Sequence, residues 1–278
     1  MTMIGMEMMT KERLDVLLVK RNLIETREKA KRMIMAGLVY SNTERLDKPG
    51  MKVDESIPLT VKGSMKYVGR GGLKLEKALE TFPITMKNKT VVDIGASTGG
   101  FTDCALQNEA KMVYAIDVGY NQLDWKLRSD ERVIVMERTN FRHVKKEHFQ
   151  HGLPHVATID VSFISLRLIL PVLQHVLRED SDIIMLIKPQ FEANREQVGK
   201  KGIIRDQNVH IEVLRRMKQF ISETGFHFHD ITYSPITGGE GNIEFLAYAT
   251  WQSQRQTDQY VTDARIKKVV NEAHIALK

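Results

Sequence analysis

Three charged side chains stand where apolar runs begin or end. Asp160 closes the run Val156 to Ile159, Lys188 closes Ile183 to Ile187, and Glu244 opens Phe245 to Thr250. A fourth, Lys74, lies in Gly69-Arg70-Gly71-Gly72-Leu73-Lys74, ahead of these runs. The ordinary reading of a lone lysine or glutamate is a solvated ion. Asp160 and Lys188 resist it: a charge closing a buried parallel strand has no structural task, and that edge of an open sheet is where ligands bind. Amines and carboxylates are also the groups that take, give or orient protons.

A second constellation lies upstream. Val91-Val92-Asp93-Ile94-Gly95-Ala96-Ser97-Thr98-Gly99-Gly100-Phe101 runs from a strand through a glycine turn into a helix. Glycines let a backbone approach a nucleotide closely, and a helix N-terminus offers N–H groups without partners. Asp117, 22 residues after Gly95, ends the next strand, where a carboxylate can bind ribose hydroxyls. Both features suit NAD as well as S-adenosylmethionine. Two details favour the methyl donor: the glycines depart from G-x-G-x-x-G, and Asp93 sits at the strand end, where an acid orders the turn and can face a cationic methionine end. The candidate cofactor residues are Asp93, Gly95, Ser97, Gly99, Gly100, Phe101, Asp117 and Asp160. Cys104 has no evident activating base, so a packed core residue is expected there.

The elements that must position these groups follow from periodicity. Apolar runs at 91–94, 112–116, 133–136, 156–159, 183–187, 226–232 and 244–250 alternate with helical patterns, which implies a parallel sheet covered on both faces. The last two are joined by Gly238-Gly239-Glu240-Gly241-Asn242, too short for a helix, so the terminal strand must run antiparallel. The expected class is α/β: a Rossmann-like seven-stranded sheet of methyltransferase type, preceded by a small α+β domain. A polar stretch at 252–259 leads to a last helix with Ile266, Val269, Val270 and Ala273 inward.

At the other end, Leu14, Leu17 and Leu18 recur at helical spacing, and a second helix should start at Thr26 as N-cap and stop at Gly37. Strand candidates around Val53 and 57–61 suggest a β-hairpin platform. Residues 1–70 carry 14 Lys and Arg against 9 Asp and Glu, a net of +5 out of +6 for the chain. Such a basic lobe is a footprint for a polyanion, nucleic acid before membrane. The boundaries expected are a flexible N-terminus at 1–10, a small RNA-binding domain at 11–62, a glycine-rich linker at 63–72, the catalytic domain at 73–251 and a tail at 252–278.

Arg13-Leu14-Asp15, Leu18, Thr26-Arg27, Ala30, Ile34, Gly37, Val39 and Lys48-Pro49 resemble the small RNA-binding domain of ribosomal protein S-four, pseudouridine synthases and tyrosyl-tRNA synthetases. Ser41-Asn42-Thr43 departs from its usual turn, though Asn42 still tolerates the left-handed conformation. That likeness implies RNA-backbone contacts from Arg13, Arg27, Lys31, Arg32 and Arg70. The remaining motifs, from Lys74 through Glu244, resemble the FtsJ-like ribose 2′-O-methyltransferases, and within them the TlyA-type haemolysin/rRNA methyltransferases. The resemblance implies S-adenosylmethionine as cofactor and a catalytic tetrad of Lys74, Asp160, Lys188 and Glu244, with Lys188 nearest the reacting hydroxyl. It also implies ribosomal RNA or ribosomal subunits as partner and cytidine as target; the single cysteine, Cys104, cannot form an internal disulfide, which fits a reducing cytoplasm.

Other chemistries fit less well. No Asn-Pro-Pro-Tyr segment of the base-nitrogen enzymes follows the fourth strand, where Asp160-Val161-Ser162-Phe163 stands instead. His148, His151 and His155, and the pair His227 and His229, lack the companion ligands of zinc, so no metal site is expected. The run 161–177 is interrupted by Arg167, Pro171 and His175, short of a membrane span. A non-catalytic ribosome-associated RNA-binding protein and a membrane-active haemolysin are the alternatives. The charged segment 192–202 beside Lys188 is expected to be a structureless lid or RNA contact.

Overall fold

The computed structural model describes residues 10–238, 241–251 and 261–277. The expected frayed start and polar stretch at 252–259 lie outside these, apart from Thr10. Two compact units result, Met1–Arg70 and Gly71–Lys278.

In the first unit, β1 (Lys11–Arg13) leads into α1 (Leu14–Lys20) and α2 (Arg27–Met35), followed by β2 (Val39–Ser41), β3 (Glu44–Arg45), β4 (Lys52–Asp54) and β5 (Thr60–Val61). Thr26 caps α2 by accepting from the Lys29 N–H at 3.2 Å, and Gly37 takes φ +73° just past its end. Leu14, Leu17, Leu18, Ala30 and Ile34 form the core that the two helices share. The expected hairpin lies elsewhere in the chain: β2 and β3 pair across Asn42, at φ +54°, while β4 pairs antiparallel with β1 and β5 with β2. Residues 57–59 form no strand, because their apolar side chains pack on the helix core instead.

Inside this unit Asp15 is fully buried and holds two guanidinium groups. Arg13 grips both of its oxygens at 3.0 Å, and Arg27 Nε donates to Oδ2 at 2.9 Å. Burial opposes the carboxylate charge, yet the two arginines outweigh it and hold its pKa down at about 2.

The second unit begins with α3 (Gly71–Thr81), which takes in two glycines expected in the linker, with Gly71 beside the Phe101 ring. Then come β6 (Thr90–Ile94), α4 (Gly100–Gln107), β7 (Met112–Ile116), α5 (Trp125–Arg128), β8 (Val133–Met136), β9 (Val156–Ile159), α6 (Leu170–Leu173), β10 (Ser181–Ile187), α7 (Pro189–Glu192), α8 (Gln207–Glu223), β11 (Phe226–Tyr233), β12 (Phe245–Trp251) and α9 (Asp263–Ala276). The sheet order is β11-β12-β10-β9-β6-β7-β8. Only β12 runs antiparallel, against both neighbours, so the last strand in sequence is inserted one place in from the edge. β6, β9 and β10 are buried along their whole length, as strands covered on both faces must be. Ile266, Val269, Val270 and Ala273 bury the inner face of α9 in the same core.

The Asp15 clamp should be visible in the dependence of stability on pH. A carboxyl whose pKa is about 2 when folded and about 4 when unfolded adds stability above about pH 4, lost as pH falls through about 2. Asp15→Asn is expected to destabilise α1 and α2 by on the order of 1–3 kcal/mol near neutrality. Hydrogen exchange of the full-length variant and parent should converge as pH falls; a constant difference would mean the carboxylate charge contributes nothing.

Candidate active site

Sheet register assembles the charged groups. Ile187 pairs with Phe245, so Lys188 just beyond β10 and Glu244 just before β12 reach the same edge. Asp160 follows β9, and its N–H donates to the Ile94 carbonyl at 3.0 Å, fixing it beside the end of β6. Lys74 comes from the first turns of α3. Lys74 Nζ lies 2.7 Å from Glu244 Oε2 and 3.3 Å from Asp160 Oδ2, while Lys188 Nζ lies 2.6 Å from Asp160 Oδ1 and 2.9 Å from Ser162 Oγ. The order is therefore Glu244, Lys74, Asp160, Lys188, Ser162, with the charges alternating along the four ions.

None of the four ions is solvated as a surface group would be: their side-chain exposures are 2% for Glu244, 9% for Lys74, 18% for Asp160 and 7% for Lys188. Burial disfavours the charge on Lys74, but Asp160 and Glu244 outweigh it and raise its pKa. Burial likewise works against ionised Asp160, and the two lysines prevail and lower its pKa. An ammonium has three donors. Lys188 commits two, to Asp160 and Ser162, which leaves one direction for a substrate.

Beside this network a cavity of about 310 Å³ is lined by Ile94, Gly95, Ser97, Ile116, Asp117, Val118, Asn140, Phe141, Asp160, Ser162, Phe163 and Ile169, among others. Apolar side chains from three strand ends make a slot for a flat ring, and Asp117 stands where ribose hydroxyls would lie. Gly95, at φ +86°, allows the approach: a Cβ there would fall 2.5 Å from the Asp160 carbonyl oxygen. Asp117 also fixes the turn, accepting from the Ser97 N–H at 2.8 Å and the Gly119 N–H at 2.7 Å. A carboxylate has lone pairs beyond these two bonds. The residues present thus fit an adenosine-bearing donor.

Other expected cofactor residues lie elsewhere. Asp93 does not face the cavity; it is 1% exposed and accepts from the Thr102 hydroxyl at 2.7 Å and the Thr158 hydroxyl at 3.0 Å. Those bonds tie the end of β6 to α4 and to β9. Burial, against those hydrogen bonds and helped by nearby Asp160, pushes its pKa up to about 7. Gly99 and Gly100 open α4, Phe101 is buried in the core, and none of the three lines the cavity. Cys104 is buried.

Sequence reasoning missed Ser162 and Asn140. Asn140 lies four residues beyond β8, where the strand-end rule that found Asp117 would have pointed to Glu137 instead; nothing in sequence marks Ser162 as a partner of Lys188. The segment expected to be structureless contains two short 3₁₀ turns, Arg195–Gln197 and Lys200–Gly202, because the Asn242 side chain accepts from the Ile204 N–H at 3.1 Å and donates to the Gly202 carbonyl at 2.9 Å. Among the described residues no His, Cys, Asp and Glu group is arranged to hold a metal ion, and no helix is long and apolar enough to cross a membrane.

The candidate RNA contacts belong to the first unit. Arg13 and Arg27 are both half-exposed while clamping Asp15; Lys31 pairs with Glu28 at 2.7 Å; Arg32 donates to the Val68 carbonyl at 3.0 Å; Arg70 is exposed.

A seven-stranded sheet with one antiparallel insertion, a nucleotide cavity at its carboxyl edge and a lysine–carboxylate network beside it define a class. The chain belongs to the FtsJ-like methyltransferases, whose family matches residues 67–251, and an S4 domain matches residues 12–56. It is an S-adenosylmethionine-dependent enzyme. Over 96% of its length it is 63% identical to YqxC of Bacillus subtilis, covering 96% of that protein, which is named as a candidate rRNA methyltransferase. It is 36% identical over 95% of its length to the 16S/23S rRNA (cytidine-2′-O)-methyltransferase TlyA of Mycobacterium tuberculosis, 99% of which is covered. A solved structure described as a candidate hemolysin from Streptococcus thermophilus superposes with a TM-score of 0.76 at 52% identity, covering 96% of this chain and 97% of that one.

Buried Asp93 should leave its own mark on stability. Its unfolded carboxyl ionises near pH 4 and its folded one near about 7, so stability is greatest below about 4 and falls as pH rises through about 7. Asp93→Asn removes the titrating group. The melting temperature of the variant relative to the parent should therefore rise between about pH 5 and about pH 8; a flat difference would mean Asp93 is ionised throughout.

Proposed function

We propose that this chain transfers a methyl group to the 2′-hydroxyl of a cytidine ribose in ribosomal RNA, working in the cytoplasm on ribosomal RNA or ribosomal subunits. The observation that carries this reading is the chain of largely buried ions Glu244, Lys74, Asp160 and Lys188, ending on the exposed Ser162 hydroxyl, at the rim of the cavity. The names of the Bacillus and Mycobacterium relatives support the RNA substrate, and the latter's name supports cytidine and the 2′-oxygen.

S-adenosylmethionine supplies a methyl group on a sulfonium, already a good electrophile. Asp117, the Gly95 turn and the apolar slot of Ile116, Val118, Phe141 and Ile169 would hold it. The protein's remaining tasks are alignment of the hydroxyl and disposal of its proton. A ribose hydroxyl is a very weak acid. Lys188, with two N–H directions fixed by Asp160 and Ser162, turns the third toward the 2′-oxygen; as an ammonium it steadies negative charge growing there, and as a neutral amine its lone pair takes the proton. Asp160 orients Lys188 and shares its charge with Lys74, which Glu244 holds from the far side. Lys31, Arg70 and the outer edges of Arg13 and Arg27 would meet RNA phosphates, which position the enzyme without reading sequence.

Lys188→Ala is expected to lower methyl transfer by about 100- to 10,000-fold while donor affinity stays within a few-fold. Mapping 2′-O-methylation on both large ribosomal RNAs, with parent and variant, checks this; transfer at the parent rate removes Lys188 from its role. Separately, Lys31→Glu with Arg70→Glu should weaken RNA binding and flatten its dependence on salt by about 0.9 in log–log slope for each phosphate no longer neutralised. An unchanged slope would assign the basic surface another task.

A further inference from the structure

Two short segments that each follow a strand end run alongside one another. Residues 160–166 carry Asp160, Ser162, Phe163, Ser165 and the N–H of Leu166; residues 188–192 begin with Lys188 and end α7 with Glu192. They are joined at three levels. At one end Lys188 Nζ donates to Ser162 Oγ at 2.9 Å. In the middle the rings of Phe163 and Phe191 meet with centroids 5.2 Å apart. At the far end the Glu192 carboxylate accepts from the Ser165 hydroxyl at 2.6 Å and from the Leu166 N–H at 2.7 Å.

The segments need such a tie. Phe163 sits at φ +63°, a conformation a bulky residue rarely adopts, and is 91% exposed, so neither local preference nor its own burial holds it in place; Val161 and Ile164 on either side pack, partly buried, against the core. Besides that packing, the segment is held at its two ends: Asp160, tied to Ile94, and Glu192, whose carboxylate closes the other side. Burial pushes the Glu192 carboxyl up in pKa despite its hydrogen bonds, so an ionisable group is kept at a site that disfavours its charge. A polar group retained at such a cost is expected to fix geometry.

We propose that Glu192 is a positioning residue of the methyl-transfer site: by clasping Ser165 and Leu166 it holds the 160–166 segment against α7, so that the Ser162 hydroxyl keeps the Lys188 amine aimed at the acceptor oxygen. Glu192 touches neither substrate nor donor. It acts through Ser162, the exposed, uncharged partner of Lys188 at the end of the ionic network. The inference rests on the methyl-transfer reading of Lys188.

The test uses the full-length chain with ribosomal RNA, comparing parent, Glu192→Ala, Ser162→Ala and the double variant, with Ser165→Ala as a milder loosening of the same clasp. Glu192→Ala should lower kcat on the order of 100-fold, as expected for a misaligned catalytic group, with KM for the donor and the melting temperature little changed. The double variant should lose no more than the worse single one, because both changes release the same lysine. Ser165→Ala should lower kcat in the same direction without unfolding the protein. The side-chain NMR resonance of Lys188 should move in Glu192→Ala as it does in Ser162→Ala, a readout that needs no turnover. Parent-level kcat in Glu192→Ala and Ser165→Ala, a loss confined to KM or stability, additive losses, or an unmoved Lys188 resonance would each overturn the proposal. Absence of methyl transfer by the parent itself would instead bring down the proposed function, and the resonance would then decide the positioning role alone.

Discussion

One carboxylate shared by two ammonium groups is the constraint on which the second unit depends. Asp160 places one oxygen on Lys74 and the other on Lys188, and all three are largely withdrawn from water. Withdrawn charges are tolerated only when paired and hydrogen-bonded. Each element that delivers a member is thereby restricted: β9 must end where it does, α3 must approach the sheet edge, and β12 must run antiparallel so that Glu244 arrives beside the end of β10. The same residue reaches the cofactor turn, since the Asp160 carbonyl occupies the space that a side chain at residue 95 would need. The cavity and the lysine–carboxylate network are therefore built on one backbone junction, between β6 and β9.

Much of this was legible in the sequence because the sheet is buried on both faces. A strand with no solvent side must be apolar throughout, and its end is marked by the first polar residue, which is how Asp117, Asp160 and Lys188 stand out. Strand order was less accessible. The glycine-rich connection showed that the last strand turns back, but its place between β10 and β11 depends on hydrogen bonding that no local pattern encodes.

Direction and partnership were the other blind spots. Asp93 stands one residue short of the end of β6, level with Thr158 on the neighbouring strand, and turns inward to it. Position at the edge was readable; the face was not. Ser162 and Glu192 are ordinary residues until two loops lie side by side, and Arg13 and Arg27 look like solvated cations until Asp15 is seen to be buried between them. In each case the deciding contact joins residues whose pairing no periodicity reports.

The two units use a similar arrangement to different ends, and the difference lies in the cation. Asp15 is held by two arginines, and Asp160 by two lysines. A guanidinium remains charged at any accessible pH and offers a rigid fork, so the Asp15 clamp leaves half-exposed, permanently cationic edges facing solvent. A buried lysine can lose its proton, and how easily it does so is set by what surrounds it. Exchanging the cations would defeat both sites. Arginine at position 188 would keep the ion pair but fix its charge, and lysine at position 13 would lose the bidentate grip on a carboxylate buried in a small core. The choice of base type thus separates a clamp whose charge is fixed by its chemistry from a network whose charge depends on its surroundings.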